Sequence, residues 1–205
     1  MRVLLITPPL VRQEAYQSDD SRPDFEALRL ISPAEPLTVA AILETAGHTV
    51  RFVDLGSYAN GREAAISRAL TDFAPDAVAL VQSILTFATS HDWDGKEVFE
   101  QVRTLRPTAA TILTGGHATN YPGKAVSDGV CDYAIKGEVD FALPQLIDAL
   151  ATPEALADSL LNIPGLSWRQ VDGKTASSEA YPSVDVTRLP PPAYHLLSDG
   201  DRSRY

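Results

Sequence analysis

The chain has 205 residues, 44% of them hydrophobic and 21% charged, which suits one domain with its own core plus an extension rather than two full domains. A formal net charge of −10 argues against nucleic-acid partners and against docking on anionic membrane, both of which call for a basic surface. The lone cysteine, Cys131, excludes an internal disulfide and a cysteine-rich metal site within the chain, so a reducing cytoplasm is the default compartment.

Short apolar runs alternate with longer helical patterns. Val3 to Ile6 is a continuous apolar run, the pattern of a strand buried on both faces. It is too short for a signal peptide, and Pro8-Pro9 follows it. No apolar stretch is long enough to cross a bilayer. A polar loop from Thr7 to about Ile31 comes next, of a length that is usually functional or mobile. Pro36 suits a helix start, and Leu37, Val39, Ala40, Ile42 and Leu43 carry that helix to Gly47.

The second strand is predicted over Thr49 to Leu55 and the second helix over Gly61 to Phe73. Strand three is Ala77 to Val81, and a helix runs from about Trp93 to Leu105. Ala109 to Leu113 is the fourth strand, Tyr121 to Ser127 a short helix, Asp132 to Ile135 the fifth strand and Val139 to Leu150 the fifth helix. Beyond residue 150 come a short helix over Ala155 to Leu161, an alternating strand from Gly165 to Arg169, and Asp172-Gly173 as a hairpin turn. The prolines at 182 and 190 to 192 then mark an extended connector. This pattern predicts an α/β fold: a flavodoxin-like, Rossmann-type, doubly wound parallel sheet of five strands, ordered 2-1-3-4-5, with a C-terminal hairpin and linker. Residues 1–150 form the domain and 151–205 the extension.

In such sheets ligands lie beyond the carboxyl ends of the strands, near the switch point between the first and third. The residues there are Thr7-Pro8-Pro9, then Gln82-Ser83-Ile84-Leu85-Thr86, then Thr114-Gly115-Gly116-His117-Ala118-Thr119, then Lys136-Gly137-Glu138. Two glycines after a buried strand either let a flat ligand approach the backbone or simply make a tight turn. Ser83 either bonds a ligand or caps the next helix.

Taken together these segments resemble the N-terminal cobalamin-binding domain of cobalamin-dependent radical-SAM enzymes. Ser83-Ile84-Leu85 matches the S-x-L motif of cobalamin modules, and Gly115-Gly116 matches the Gly-Gly one βα unit later. Pro8-Pro9, the Pro36-Leu37 helix closing in Gly47-His48, Asp54, Gly137-Glu138, Ile163-Pro164-Gly165-Leu166 and Leu189-Pro190-Pro191-Pro192-Ala193-Tyr194 extend the resemblance over nearly the whole chain. Gly115-Gly116-His117-Ala118-Thr119 is one residue shorter than the usual Gly-Gly-x-His-x-Thr. The resemblance implies that Ser83, Gly115 and Gly116 line a channel for the dimethylbenzimidazole tail, with the corrin ring across the strand tips. It implies cofactor contacts from Thr7, Pro8, Pro9, Ser83, Ile84, Leu85, Thr86, Gly115, Gly116, His117, Gly137 and Glu138, and no catalytic or metal-ligating residue in this chain.

The methionine synthase and mutase modules place D-x-H-x-x-G after the first strand, whereas no His occurs between Thr7 and Ile31 here. The tail is therefore expected to leave cobalt without a His replacing it. His91 reads as an exposed loop residue, His117 as a contact of the cofactor's edge or of the loop, and His48 and His195 as surface turn residues. The C-x-x-x-C-x-x-C that would hold a [4Fe-4S] cluster and S-adenosylmethionine is absent, and Cys131 reads as a core residue. Either the chain is the N-terminal part of a methyltransferase whose radical-SAM barrel lies elsewhere, or it is a standalone corrinoid-binding or sensing protein. The linker-like tail favours the first. A receiver, flavodoxin or dinucleotide domain is disfavoured, because Thr7-Pro8-Pro9 offers neither acidic residues nor a phosphate loop and G-x-G-x-x-G is absent.

Overall fold

A computed structural model describes residues 1–8, 32–58, 61–82, 95–178, 184–198 and 202. Its strands are β1 (Arg2–Thr7), β2 (Thr49–Asp54), β3 (Ala77–Leu80), β4 (Ala110–Thr114), β5 (Tyr133–Ile135), β6 (Leu166–Arg169) and β7 (Thr175–Ser177). The helices are α1 (Ala34–Thr45), α2 (Arg62–Phe73), α3 (Lys96–Leu105), α4 (Gly116–Asn120), α5 (Lys124–Ser127), α6 (Ala142–Leu150) and α7 (Leu156–Leu160).

The described strands form one sheet ordered β2-β1-β3-β4-β5-β6-β7. The first five run parallel, with Leu5 beside both Phe52 and Ala79, and Ala79 beside Ile112. The predicted order 2-1-3-4-5 is thus present. The predicted hairpin joins the same sheet, β6 antiparallel to β5 and β7 antiparallel to β6, so the sheet has seven described strands rather than five.

Alternation along the buried strands makes two cores. Val3, Leu5, Ala77 and Ala79 face α1 and α6 through Leu37, Leu43, Leu143 and Leu146. Leu4, Ile6, Val78 and Leu80 face α2, α3 and α5 through Leu70, Phe99, Val102 and Val126. That is why these strands read as unbroken apolar runs: each side chain has a layer to enter.

Two local readings need correction. The short helix expected over Tyr121 to Ser127 starts earlier, as α4, because the side chains of Thr119 and Asn120 bond back to the carbonyls of Gly115 and Gly116. Pro122 forces Tyr121 out of helical geometry (φ −133°, ψ 58°), so α5 is separate. The side chain of His48 is no surface residue. It is 6% exposed, with Nδ1 3.3 Å from the Met1 amino nitrogen and Nε2 3.0 Å from Asp148 Oδ1. Gly47, at φ +87°, folds the chain back and turns His48 inward. Residues 184–198 of the connector are extended apart from two 3-10 turns, and 193–197 lie against α1. Ala193 and Leu197 are buried, the Ala193 N–H donates to the Leu37 carbonyl at 2.9 Å, and His195, itself exposed, reaches Glu44 at 3.1 Å.

Candidate functional site

Because β1, β3, β4 and β5 are parallel, their carboxyl ends share one edge of the sheet. β1 lies between β2 and β3, so that edge contains the switch point where the chain's two windings diverge. Thr7 ends β1 there, and its hydroxyl is buried with no hydrogen-bond partner among the described residues. A buried hydroxyl left unpaired is costly, and such groups mark places where a ligand or water completes the pairing. Asp54, beside Thr7 on β2, accepts from the Gly56 N–H at 2.8 Å and so serves the following turn.

Gly115 follows β4 at φ +86° and ψ −152°, a region open in practice to glycine alone. A Cβ there would run into the carbonyl oxygen of Gln82 and lie 2.6 Å from the Gln82 Cβ. The protein's own backbone therefore demands this glycine. Gln82, 2% exposed, accepts the His117 N–H through Oε1 at 3.4 Å. Thr114 donates its hydroxyl to the Leu80 carbonyl at 3.1 Å. Thr119 ties two strand ends together: its hydroxyl donates to the Gly115 carbonyl at 2.8 Å and accepts the Gly137 N–H at 2.9 Å. The His117 ring sits 5.5 Å from that of Tyr121, tilted by 50°. The ends of β3, β4 and β5 are thus cross-braced by Gln82 and Thr119, a framework that holds this edge of the sheet in place.

Carboxyl groups gather where α1 begins and where the chain leaves β5. Glu35 keeps contact with solvent, yet partial burial and the like charges of Asp140 and Glu138 push its carboxyl from 4.5 up to about 7. Asp140, only 6% exposed, is itself raised, chiefly by burial and further by Glu138. At neutral pH Glu35 is therefore part protonated, able to donate as well as accept a hydrogen bond.

Of the residues singled out in the sequence, Thr7, Pro8, Gly115, Gly116, His117, Gly137 and Glu138 lie at this one edge. Pro9, Ser83, Ile84, Leu85, Thr86 and His91 fall outside the described residues. The bracing roles of Gln82 and Thr119, and the carboxyls of Glu35 and Asp140, were not foreseen. Gln82 had a signal, as the polar residue that ends an otherwise apolar run. Glu35 and Asp140 had none, since only the fold brings residues so far apart in sequence together.

Residues 31–147 match the model of the B12 binding domain family. The chain belongs to the B12-binding domain family. The match runs from just before α1 into α6 and so takes in the ends of β3, β4 and β5. Solved structures share the fold. The radical S-adenosylmethionine methyltransferase TsrM from Kitasatospora setae, with cobalamin and a [4Fe-4S] cluster bound, is 19% identical with a TM-score of 0.62, covering 86% of this chain and 30% of TsrM. The same enzyme with tryptophan substrate and a SAM analogue is 20% identical with a TM-score of 0.61, covering 94% and 30%. The cobalamin-dependent S-adenosylmethionine radical enzyme OxsB, with aqua-cobalamin and S-adenosylmethionine, is 14% identical with a TM-score of 0.65, covering 99% and 25%. The B12-binding chain thus spans between a quarter and a third of these neighbours. No curated protein matches it.

The edge suits the family's cofactor. Corrin is a broad, flat ring fringed with amides, which need a floor free of large side chains and a scatter of neutral donors and acceptors. The described edge offers the unpartnered Thr7 hydroxyl, the glycines at 115, 116 and 137, and a part-protonated carboxyl at its rim. Among the described residues no group of three or more His, Cys, Asp or Glu side chains could hold a metal ion, and no helix is long and apolar enough to cross a membrane.

Proposed function

We propose that this B12-binding chain is the corrinoid module of a cytoplasmic radical-SAM methyltransferase. It holds cobalamin with the dimethylbenzimidazole tail displaced from cobalt and with no histidine in the tail's place. The observation that carries the reading is the family match over 31–147, which spans strand ends braced by Gln82 and Thr119, beside a Thr7 hydroxyl that lacks a partner among the described residues. Thr7, Pro8, Gly116, His117, Gly137 and Glu138 would hold the cofactor, together with Pro9 and the Ser83 to Thr86 segment. Gly115 would act mainly by letting β3 and β4 close beneath them. When bound, cobalamin supplies methyl-transfer chemistry; the chain's share is to seat and orient it. S-adenosylmethionine and the iron–sulfur cluster would belong to a barrel in the same polypeptide, as the share of TsrM and OxsB left uncovered suggests. The acidic balance of the chain supports small-molecule rather than nucleic-acid or membrane partners.

Titration of the purified chain with hydroxocobalamin, desalting and a visible spectrum test the first claim: a stoichiometric corrin band is expected to stay with the protein. Electron paramagnetic resonance of the reduced, cobalt(II) form tests the second. Nitrogen hyperfine splitting would reveal an axial nitrogen and overturn the displaced, histidine-free assignment. A reading frame that stops after Tyr205 would overturn the in-chain barrel in favour of a standalone carrier.

A further inference from the structure

The opposite end of the sheet carries a feature that cobalamin binding does not use. A cleft of about 640 Å³ opens where β4 and β5 begin and where antiparallel β6 ends, lined among others by Arg103, Thr108, Cys131, Asp132, Tyr133 and Arg169. That volume lies within the range of small-molecule sites.

Two guanidinium groups from different elements converge on the turn between α5 and β5. Arg103, in the last turn of α3, donates from Nη2 to the carbonyls of Gly129 and Val130 at 2.8 and 2.6 Å. Arg169, at the end of β6, donates from Nη2 to the carbonyl oxygens of Val126 and Ser127. The same Nη2 lies 4.0 Å from where a Cβ on Gly129 would be. Both forks are thus pinned by backbone carbonyls around one glycine, and two like charges are held near each other.

Neither arginine has a carboxylate partner among the described residues. Each nearby acid has a partner of its own, Asp132 through Oδ2. Asp128 holds the Lys124 ammonium at 2.6 Å, and Asp132 accepts the backbone N–H and the hydroxyl of Thr111 at 2.8 and 2.7 Å. Nε and Nη1 of Arg103 and Nε of Arg169 have no partner among these bonds. In a chain of net charge −10, a cleft supplied with pinned cations and spare donors is an exception to the general surface. Preoriented guanidinium forks are matched to planar or tetrahedral oxyanions.

We propose that this cleft is an oxyanion site, taking a small molecule that bears a phosphate or carboxylate group, at the end of the sheet remote from the cobalamin edge. Arg103 and Arg169 supply the charge, and Thr108 adds a hydroxyl donor. Isothermal titration of the full chain with inorganic pyrophosphate and with citrate, at matched ionic strength, tests it. At least one should bind, and the tighter of the two assigns the phosphate or the carboxylate source. Arg103→Gln should weaken binding by about tenfold or more, the loss of a charge-assisted contact. Because that change also unties Gly129 and Val130, Thr108→Glu is the companion variant: it leaves both tethers intact, places a carboxylate in the cleft, and should abolish binding while hydroxocobalamin uptake persists. Arg188→Gln, whose guanidinium stacks 5.1 Å from the Phe141 ring, should bind as the parent does. No heat of binding for either anion overturns the proposal. So does equal binding by the parent and Thr108→Glu, which would mark a general salt effect.

Discussion

Gly115→Ala isolates how far the candidate edge depends on close backbone approach. Two penalties combine there. The backbone angles belong to a region closed to side chains, at about 1–3 kcal/mol. The new methyl would also overlap the Gln82 carbonyl and crowd the Gln82 Cβ at 2.6 Å, and forcing atoms into a packed site costs about 1–3 kcal/mol more. The sum is about 4 kcal/mol, a large fraction of a domain's stability. Gly173→Ala is the matched control. That glycine also has positive φ, +84°, but nothing lies within 4 Å of its Cβ position, so only the backbone term of about 1 kcal/mol applies. Urea unfolding of both variants beside the parent gives the difference directly. If Gly115→Ala falls within about 1 kcal/mol of Gly173→Ala, the contact between the turn after β4 and the end of β3 is not what requires the glycine.

Thr119→Val should lose about 1–3 kcal/mol in the same assay and weaken hydroxocobalamin retention, since it unpairs the Gly137 N–H, whereas Thr119→Ser should keep most of both. Thr7→Val should raise the stability of the cofactor-free chain by about 1 kcal/mol, by removing an unpaired buried hydroxyl, and lower corrin affinity in a binding titration; a variant that loses stability would mean that the hydroxyl is paired after all. Glu35 binds its proton more tightly folded, at about 7, than at its ordinary 4.5, so its presence lowers stability progressively as pH rises between those values. Glu35→Gln should match the parent in thermal melts near the lower value and exceed it above neutrality by about 1 kcal/mol, a figure reduced for solvent screening of an exposed side chain.

The strands and their order were legible because burial on both faces writes itself as unbroken apolar runs, as in Val3 to Ile6 and Ala77 to Leu80. The glycines after β4 and β5 were legible as punctuation. What their smallness serves was not, because the clash that fixes Gly115 is with Gln82, more than thirty residues earlier. The inward turn of His48 and the docking of Ala193 and Leu197 were equally hidden, since each depends on a partner that only tertiary packing supplies. The carboxyls of Glu35 and Asp140 belong with them: ordinary acids in sequence, raised first by burial and then by like charges that only the fold brings near.

The strap that residues 193–197 lay over α1 has a consequence for how the chain is made. Ser32 pairs with Tyr194 across 162 residues, and Glu44 with His195 across 151. α1 leaves the ribosome well before its outer cover, since Glu44 precedes His195 by 151 residues. Until Leu197 emerges one side of α1 stays bare, so the nascent chain is exposed to chaperones and to aggregation over that interval.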